Sequence, residues 1–391
     1  MDLPSRLQAL LDAEIPRFSD GEMIARRKRV ADALGAAGAD HLVFCGYNRA
    51  GSAVQWLTEW PVTAEAIGVF SPGLPDALFV QWVNHAPLAR RYARHAETVE
   101  WGGESTIGKA IDTLSRRGTR AGRVAVAGPM RFDQHAALAD RFGTIVNLNG
   151  VYSRLRSVKS EEELDWLSIG AAFSDAGMSA LRDAIRPGVN ERQLGDAVER
   201  AYVGLGGGTG IHYIGATAMA ASDLAVPRQY PSPRIVQSGD VVVAEITAHF
   251  NDHGGQILRS FAVGEPPTPL YRALHDAADA AFAAVAAALK PGALPTEVVA
   301  AAGVIEAAGF TIIDDLLHGY GGGYLPPVLG SASRPAGSLP ATPFAAGQTV
   351  VIQPNVVTLD GKAGVQTGEL GVITESGFES LHRFPRGFGQ V

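Results

Sequence analysis

The chain has 391 residues, of which 46% are hydrophobic and 19% charged, a composition typical of a soluble globular enzyme of about two domains. Its net charge of −7 argues against a nucleic-acid partner held by electrostatics. The single cysteine excludes a disulfide framework and a cysteine-rich metal site. The start of the chain has no signal-peptide pattern, and no apolar run reaches the roughly 20 residues of a membrane span. We therefore expect a cytoplasmic protein without a membrane partner.

The first 150 residues alternate between helix and strand patterns. Ser19 is a typical N-cap for the first long helix, and Gly35 is a plausible stop for it. In chain order the patterns predict a helix up to residue 34, a strand over 40–45, a hairpin of 66–70 with 77–82, a helix over 107–117 and a strand over 123–127. Strands mixed with helices predict an α/β domain over residues 1–150.

Residues 151–391 begin with a strong helix signal. Ser160 and Glu163 form a capping box, and the helix should end before Pro187. Asn190 and Thr296 are typical caps for later helices. The remaining patterns predict a helix over 269–289, another over 296–308, and hairpins over 240–263 and 349–374. The region therefore predicts a second domain with separate helices and antiparallel strands.

One polar residue stands out in the hairpin over 240–263. Glu245 lies inside its Val-rich first strand, where a carboxylate is costly unless it is paired or liganded. The same pattern, a glycine followed at the sixth position by a polar side chain, returns from Gly347 to Gln353. We interpret this as a weak internal duplication that would bring Glu245 and Gln353 near a pseudo-twofold axis.

Short motifs in both domains, in this order and at these spacings, resemble those of the creatinase/aminopeptidase P/prolidase family. They lie at residues 18–26, 55–58, 159–164, 187–191, 238–240, 259–264, 318–319 and 368–369. The resemblance covers the whole chain. It implies an α+β protein with a C-terminal pita-bread (creatinase/aminopeptidase) domain over 151–391, preceded by a smaller creatinase-type N-terminal α/β domain. It also implies a homodimer.

In the peptidases of this family, two Asp, one His and two Glu hold two divalent metals. The resemblance places these positions at Glu245, Gln256, His318, Gln353 and Glu369. Two of the five are neutral amides, so two carboxylates remain where four would offset the charge of two metals. We therefore expect no cofactor and no dinuclear centre. A single divalent metal held by Glu245, His318 and Glu369 is the alternative.

The same residues are the expected catalytic group. If Glu245 and Glu369 share one site, their like charges should raise one pKa, and His318 could move the proton. The other candidates would bind substrate: Gln256, Gln353, Arg228, Arg334, His212, His253 and, from the N-terminal domain of a dimer partner, Trp60. Arg228 stands where the family carries a substrate-handling His, and Leu325 where the peptidases carry another.

These observations predict a creatinase-like hydrolase, or a lyase, that cleaves a C–N bond of a small polar metabolite without a dinuclear metal centre. Two alternatives stay open. One is an Xaa-Pro-type metallopeptidase with a mononuclear or degenerate site, and the other is a non-catalytic binding module on the same fold.

Overall fold

The computed structural model describes residues 3–48 and 52–391. The chain forms two compact units, Asp12–Arg156 and Ser157–Val391, the second including a short N-terminal segment that ends at Leu11. Residue 150, the predicted end of the first domain, lies within a helix of the first unit, Asn149–Leu155. Of the helices in the described ranges, none combines the length and hydrophobicity needed to cross a membrane.

In the described part of the first unit, six strands form one mixed sheet. They are β1 (His41–Tyr47), β2 (Glu65–Phe70), β3 (Asp76–Val80), β4 (Ala96–Trp101), β5 (Val124–Ala127) and β6 (Ile145–Asn147). The strand order is β4-β3-β2-β1-β5-β6. Strand β2 pairs antiparallel with β1 and β3, which confirms the predicted hairpin, and the other neighbours are parallel.

Both faces of this sheet are buried. Leu42 and Phe44 belong to one apolar cluster, whereas Val43 and Cys45 belong to another, as the two-residue period of a strand requires. The helices up to residue 156 are α1 (Ser5–Asp12), α2 (Asp20–Ala36), α3 (Ala53–Thr58), α4 (Ala86–Tyr92), α5 (Thr106–Arg116), α6 (Phe132–Phe142) and α7 (Asn149–Leu155). As predicted, Ser19 caps α2, because its side chain accepts from the Glu22 N–H.

The second unit is built on a larger, mainly antiparallel sheet. The strands of the whole unit are β7 (Gly208–Ala218), β8 (Asp240–Phe250), β9 (His253–Ala262), β10 (Thr311–Ile312), β11 (Leu317–Tyr320), β12 (Tyr324–Leu329), β13 (Thr349–Ile352), β14 (Val356–Val357), β15 (Gly368–Thr374), β16 (Gly377–Ser380) and β17 (Gly389–Gln390). The main path is β12-β11-β13-β15-β9-β8-β7, to which β16 and β17 add at β15 and β9. Strands β10 and β14 pair separately.

Helices of this unit are α8 (Glu161–Ala184), α9 (Glu191–Arg200), α10 (Pro269–Ala288), α11 (Pro295–Ala301) and α12 (Val304–Ala307). The predicted capping box of Ser160 and the cap at Asn190 are confirmed. The predicted helix over 296–308 is wrong in its cap and its continuity. Leu294 occupies the cap position, where its N–H donates to the Glu297 carboxylate. The helix stops at Ala301 and resumes after Gly303, a poor helix former.

Helix α8 lies directly on the β8–β9 hairpin. A Cβ on Gly255 would lie 2.2 Å from the Cα of Ala171, and a Cβ on Gly170 would lie 2.3 Å from the His253 carbonyl oxygen. Any larger residue at these positions would push the helix off the hairpin, so glycine permits the close backbone approach. This packing fixes the strand that carries Glu245.

The capping box of α8 gives a test of helix stability. The Ser160 side chain accepts from the Glu163 N–H at 3.2 Å, and the Glu163 carboxylate accepts from the Ser160 N–H at 3.1 Å. We expect Ser160→Ala to lower the free energy of unfolding by ~1 kcal/mol in urea denaturation, because the partly buried helix start loses its cap. Ser168→Ala is the control, since that hydroxyl only donates to Leu164 O within the helix. An equal loss of unfolding free energy in both variants would contradict the capping role of Ser160.

Candidate active site

A chain of neutral hydrogen bonds joins three of the five predicted ligand positions. The Nε2 of Gln256, on β9, donates to Glu245 Oε1, on β8, and to Gln353 Oε1, just after β13, both at 2.9 Å. All three side chains are buried. The Gln353 N–H donates to Leu316 O at 2.9 Å, which ties this group to the segment before β11. The structure thus brings Glu245 and Gln353 together through Gln256; the weak duplication predicted the first two to be close, and the family resemblance placed Gln256 with them.

Glu369 makes a different contact. Strand β15 pairs it with Ile257 and Ile352, but its carboxylate accepts from Nη2 of Arg259 at 2.5 Å. Both side chains are buried, so they form an internal ion pair. Glu369 is therefore neutralised by a neighbouring cation and not by a metal position. The close charge contact of Glu369 is therefore an attraction to Arg259, and not the predicted repulsion from Glu245.

His318, on β11, is fully enclosed at 0% exposure. Its Nδ1 lies 3.0 Å from Gly319 O, and its ring is stacked on Tyr324 with centroids 3.7 Å apart. Its Nε2 is buried and makes no hydrogen bond of acceptable geometry. Burial lowers the pKa of His318, so the ring is neutral. The proton transfer expected of His318 stays a prediction.

These donors do not fit a dinuclear metal centre. The amide NH₂ of Gln256 points at two of the oxygens that would have to face a metal, and Arg259 holds the carboxylate of Glu369. In the part of the chain that the structure describes, no three His, Cys, Asp or Glu side chains cluster closely enough to hold a metal ion. The alternative of a single metal held by Glu245, His318 and Glu369 stays a prediction, in which Glu369 would have to bind the metal while it also accepts from Arg259.

A cavity of about 370 Å³ opens beside Glu245. Glu245, Gln353 and Tyr324 line it together with two acidic residues from the loop between β10 and β11, Asp314 and Asp315. The loop is held by the residues after β13, because Gln353 Nε2 donates to Asp315 O at 3.4 Å. Three carboxyl groups therefore share one concave site.

Burial and mutual repulsion change the acidity of two of these groups. Burial, with the charges of Asp314 and Asp315, raises the pKa of Glu245 to about 8. Burial raises the pKa of Asp314 to about 7, and the Asp315 charge acts in the same direction. Asn355 Nδ2, at 3.2 and 3.1 Å from the two oxygens, and the charge of Arg334 oppose that rise. Groups with a pKa near 7 are suited to proton transfer at neutral pH.

Asp314 and Asp315 were not among the residues predicted from the sequence. Their signal was present as two adjacent acids, Asp314-Asp315, shortly before His318. Neither residue stands at a position that the family resemblance marks, so nothing singled them out from an ordinary polar loop. The contacts of Gln353 and Asn355 across 38 and 41 residues make them part of the site.

Neither predicted arginine lines the cavity. Arg228 lies between two lining residues, Pro227 and Gln229, but its Nε is 3.4 Å from the buried carboxylate of Glu191. Arg334 is exposed and affects the site through its charge on Asp314. Arg228 therefore has a structural partner already, and Arg334 acts at a distance.

Two more predicted substrate-binding residues, His212 and His253, do not line this cavity, and Trp60 belongs to the other unit. His212 contacts the hydroxyl of Tyr202 at 2.6 Å and Glu199 at 3.3 Å, and it lines a separate, more open cavity of about 650 Å³. His253 packs its ring against Trp166, with centroids 5.3 Å apart. Trp60 is 4% exposed in the first unit, where its ring contacts His85 and Tyr92.

Comparison with known proteins identifies the family. The model of metallopeptidase family M24 matches residues 166–375, more than half of the chain. The chain belongs to metallopeptidase family M24. Solved structures of the same fold include an Xaa-Pro dipeptidase from Bacillus anthracis, with a TM-score of 0.80 at 19% identity over 94% of this chain and 100% of that one. The predicted pita-bread fold and family resemblance are confirmed.

Three further similar proteins are a solved structure and two curated sequences. A dipeptidase PepE structure from Mycobacterium ulcerans has a TM-score of 0.78 at 23% identity, over 96% of this chain and 99% of that one. The probable dipeptidase PepE of Mycobacterium tuberculosis is 28% identical over 63% of this chain and 64% of its own length. An uncharacterized hydrolase/peptidase y4tL of Sinorhizobium fredii is 28% identical over 62% of this chain and 61% of its own length. The chain thus spans less than two thirds of these two curated relatives.

Restoring the missing carboxylates gives a direct test of the metal site. We expect the native protein to bind fewer than two Mn²⁺ per chain in calorimetric titration, because Gln256 and Gln353 supply no charge. The double variant Gln256→Asp/Gln353→Glu should gain Mn²⁺ binding. A surface pair, Gln193→Glu/Gln237→Glu, adds the same charge elsewhere and should gain none. Tight binding of two Mn²⁺ by the native chain would contradict the conclusion that these side chains do not fit a dinuclear centre.

The Arg259–Glu369 pair gives a test of the charge arrangement. Replacing Arg259 by Met leaves the buried Glu369 without its cation, so we expect the free energy of unfolding to fall by about 3–5 kcal/mol in urea denaturation. Adding Glu369→Gln to that variant should recover part of the loss, because the two effects are coupled. Arg386→Met, which breaks a half-exposed pair with Asp279, should cost less than ~1 kcal/mol. A small effect of Arg259→Met would show that the pair is dispensable.

Proposed function

We propose that this chain hydrolyses a carbon–nitrogen bond of a small peptide-like substrate in the cavity beside Glu245. The observation that carries the proposal is the convergence of Glu245, Asp314 and Asp315 on one cavity of about 370 Å³. A cavity of this size suits a dipeptide-sized molecule. Dipeptidases among the similar proteins favour the Xaa-Pro-type alternative over the small non-peptide metabolite that the sequence first suggested.

Two carboxyl groups would share the proton transfers. Asp314 takes a proton from a water molecule whose oxygen attacks the carbonyl carbon. Glu245 gives its proton to the leaving nitrogen as the C–N bond breaks, which yields a carboxylic acid and an amine. The hydrogen bond from Gln256 to Oε1 leaves the second oxygen of Glu245 to carry that proton. Burial of Glu245 favours this protonated form.

The metals of the family enter no step of this scheme. In the metallopeptidases they would activate water, but the donor set here is occupied by Gln256 and Arg259. We therefore infer that the reaction proceeds without a dinuclear centre. Its support is the hydrogen bonding of the side chains at the ligand positions. The expected homodimer and the cytoplasmic location stay predictions.

A substrate screen tests the proposed reaction. Xaa-Pro dipeptides, other dipeptides, and small amide, amidino and carbamoyl compounds would be incubated with protein freed of metal by chelator, and the products identified by mass spectrometry. We expect turnover of at least one peptide, and a loss of at least ~100-fold in Asp314→Asn and in Glu245→Gln, the typical contribution of a general acid or base. The exposed-site variant Asp276→Asn should keep full activity.

The other outcomes separate the alternatives. Turnover only after Mn²⁺, Co²⁺ or Zn²⁺ is added would establish that the chain is a metallopeptidase. Hydrolysis of an amidino or carbamoyl compound but of no peptide would support the hypothesis that the substrate is a small polar metabolite. Binding of peptides without any turnover would indicate a binding module.

The surroundings of Asp314 predict how the pH dependence will move. A base with a pKa of about 7 is active only when deprotonated, so kcat/KM should rise with pH through about 7. Asp315→Asn removes a like charge and should move this rise to lower pH, whereas Arg334→Gln removes an opposite charge and should move it to higher pH. Asp276→Asn should leave it in place. Shifts in the same direction for both variants would exclude Asp314 as the group that titrates.

A further inference from the structure

Asp315 is an acidic side chain without a cationic partner. Its Oδ2 is buried and has no hydrogen-bond partner, and its Oδ1 accepts only a weak bond from the Tyr324 hydroxyl at 3.4 Å. Asp314 differs, since the Nδ2 of Asn355 donates to both of its oxygens. Among the residues that the structure describes, no Lys, Arg or His nitrogen comes within 4.0 Å of either carboxylate. A partly buried carboxylate whose inner oxygen has no donor lacks charge compensation.

The walls of the cavity do not supply that compensation. Its lining contains the three carboxyl groups, the amides of Gln229, Gln353 and Gln366, two tyrosines and apolar side chains, and it contains no basic residue. Arg334 acts on Asp314 through its charge, but its side chain is exposed and forms no ion pair there. Electrostatic attraction at this site therefore favours a positively charged ligand.

A second, independent feature points to a ligand in the same cavity. Gln366 is 1% exposed and lines the cavity, yet within residues 3–48 and 52–391 neither its amide nitrogen nor its amide oxygen has a hydrogen-bond partner. Its backbone is fixed, because its N–H donates to Ser260 Oγ at 2.8 Å and its carbonyl accepts from the same hydroxyl at 3.0 Å. A buried amide left unpaired is costly, so a bound polar group is its expected partner.

The aromatic rings refine the ligand class. Tyr213 and Tyr324 both line the cavity, and the His318 ring covers one face of Tyr324. A tyrosine face that is open to the cavity attracts ammonium and guanidinium groups. A carboxylate with free acceptor capacity forms charge-assisted bonds to the same groups. The site therefore offers a protonated nitrogen both an ionic and an aromatic contact.

We propose that the substrate carries a protonated nitrogen group, ammonium or guanidinium, which Asp315 binds while Gln366 pairs with a neutral amide of the same molecule. The proposal rests on the proposed function for calling the ligand a substrate. It assigns Asp315 as a specificity-determining residue and leaves the proton transfers to Glu245 and Asp314.

Two matched pairs of probes test it by calorimetric titration. Argininamide and citrullinamide differ only in a guanidinium against a neutral urea. Alaninamide and N-acetylalaninamide differ in whether the amine can be protonated. We expect the cationic member of at least one pair to bind at least ~10-fold more tightly, with a preference that weakens as salt is raised. The pair that discriminates identifies guanidinium or ammonium as the group recognised.

Variants connect the preference to its residue. Asp315→Asn should reduce the cationic preference to less than ~3-fold, whereas Asp276→Asn, which removes an exposed acid, should keep it. Gln366→Leu should weaken both members of a pair alike, because both carry the amide. Equal binding of the two members in both pairs, or an unchanged preference in Asp315→Asn, would overturn the proposal. The salt dependence of the native protein supplies the evidence if Asp315→Asn fails to fold.

Binding and hydrolysis fail separately in this design. The titrations need no turnover, so a cationic preference lost in Asp315→Asn supports recognition even where the substrate screen finds no reaction. Hydrolysis of neutral and cationic peptides at equal rates would support the reaction and contradict the specificity.

Discussion

The amide of Gln256 is the interaction on which the centre of the second unit depends. One NH₂ group satisfies two buried oxygens, from Glu245 and from Gln353, that come from strands far apart in the chain. Carboxylates in these positions would repel one another without cations between them, whereas amides and a protonated carboxyl can pair directly. The neutral pairing satisfies both buried oxygens at the point where β8, β9 and the end of β13 meet.

Arg259 performs the corresponding task for the remaining carboxylate. Its guanidinium also donates to the carbonyl oxygens of Gly368 and Phe384, so the cation that neutralises Glu369 is itself saturated with acceptors. A buried ion pair of this kind is costly to break and gives little net stability. The pair engages one carboxylate oxygen of Glu369 with a cation, and the catalytic role expected of Glu369 stays a prediction.

Two further acidic side chains, Asp314 and Asp315, line the cavity beside Glu245. Asp314 and Asp315 come from a loop that Gln353 and Asn355 hold in place, so the same segment that completes the neutral hydrogen-bond chain also positions the acids. Glu245 belongs to both groups. Glu245, Asp314 and Asp315 therefore line one cavity, and the proposed reaction assigns the proton transfers to these carboxyl groups.

Local sequence patterns determined those features that depend on neighbours a few residues apart. The starts of α2, α8 and α9 followed from Ser19, Ser160 and Asn190, because a cap needs only the N–H groups of the next turn. The order of short motifs also identified the family and the five positions at the centre. Only the tertiary structure decided what those positions do. Glu369 meets Arg259 across 110 residues, and Asp314 meets Asn355 across 41. Such pairs depend on strand register and loop packing, which no local pattern specifies.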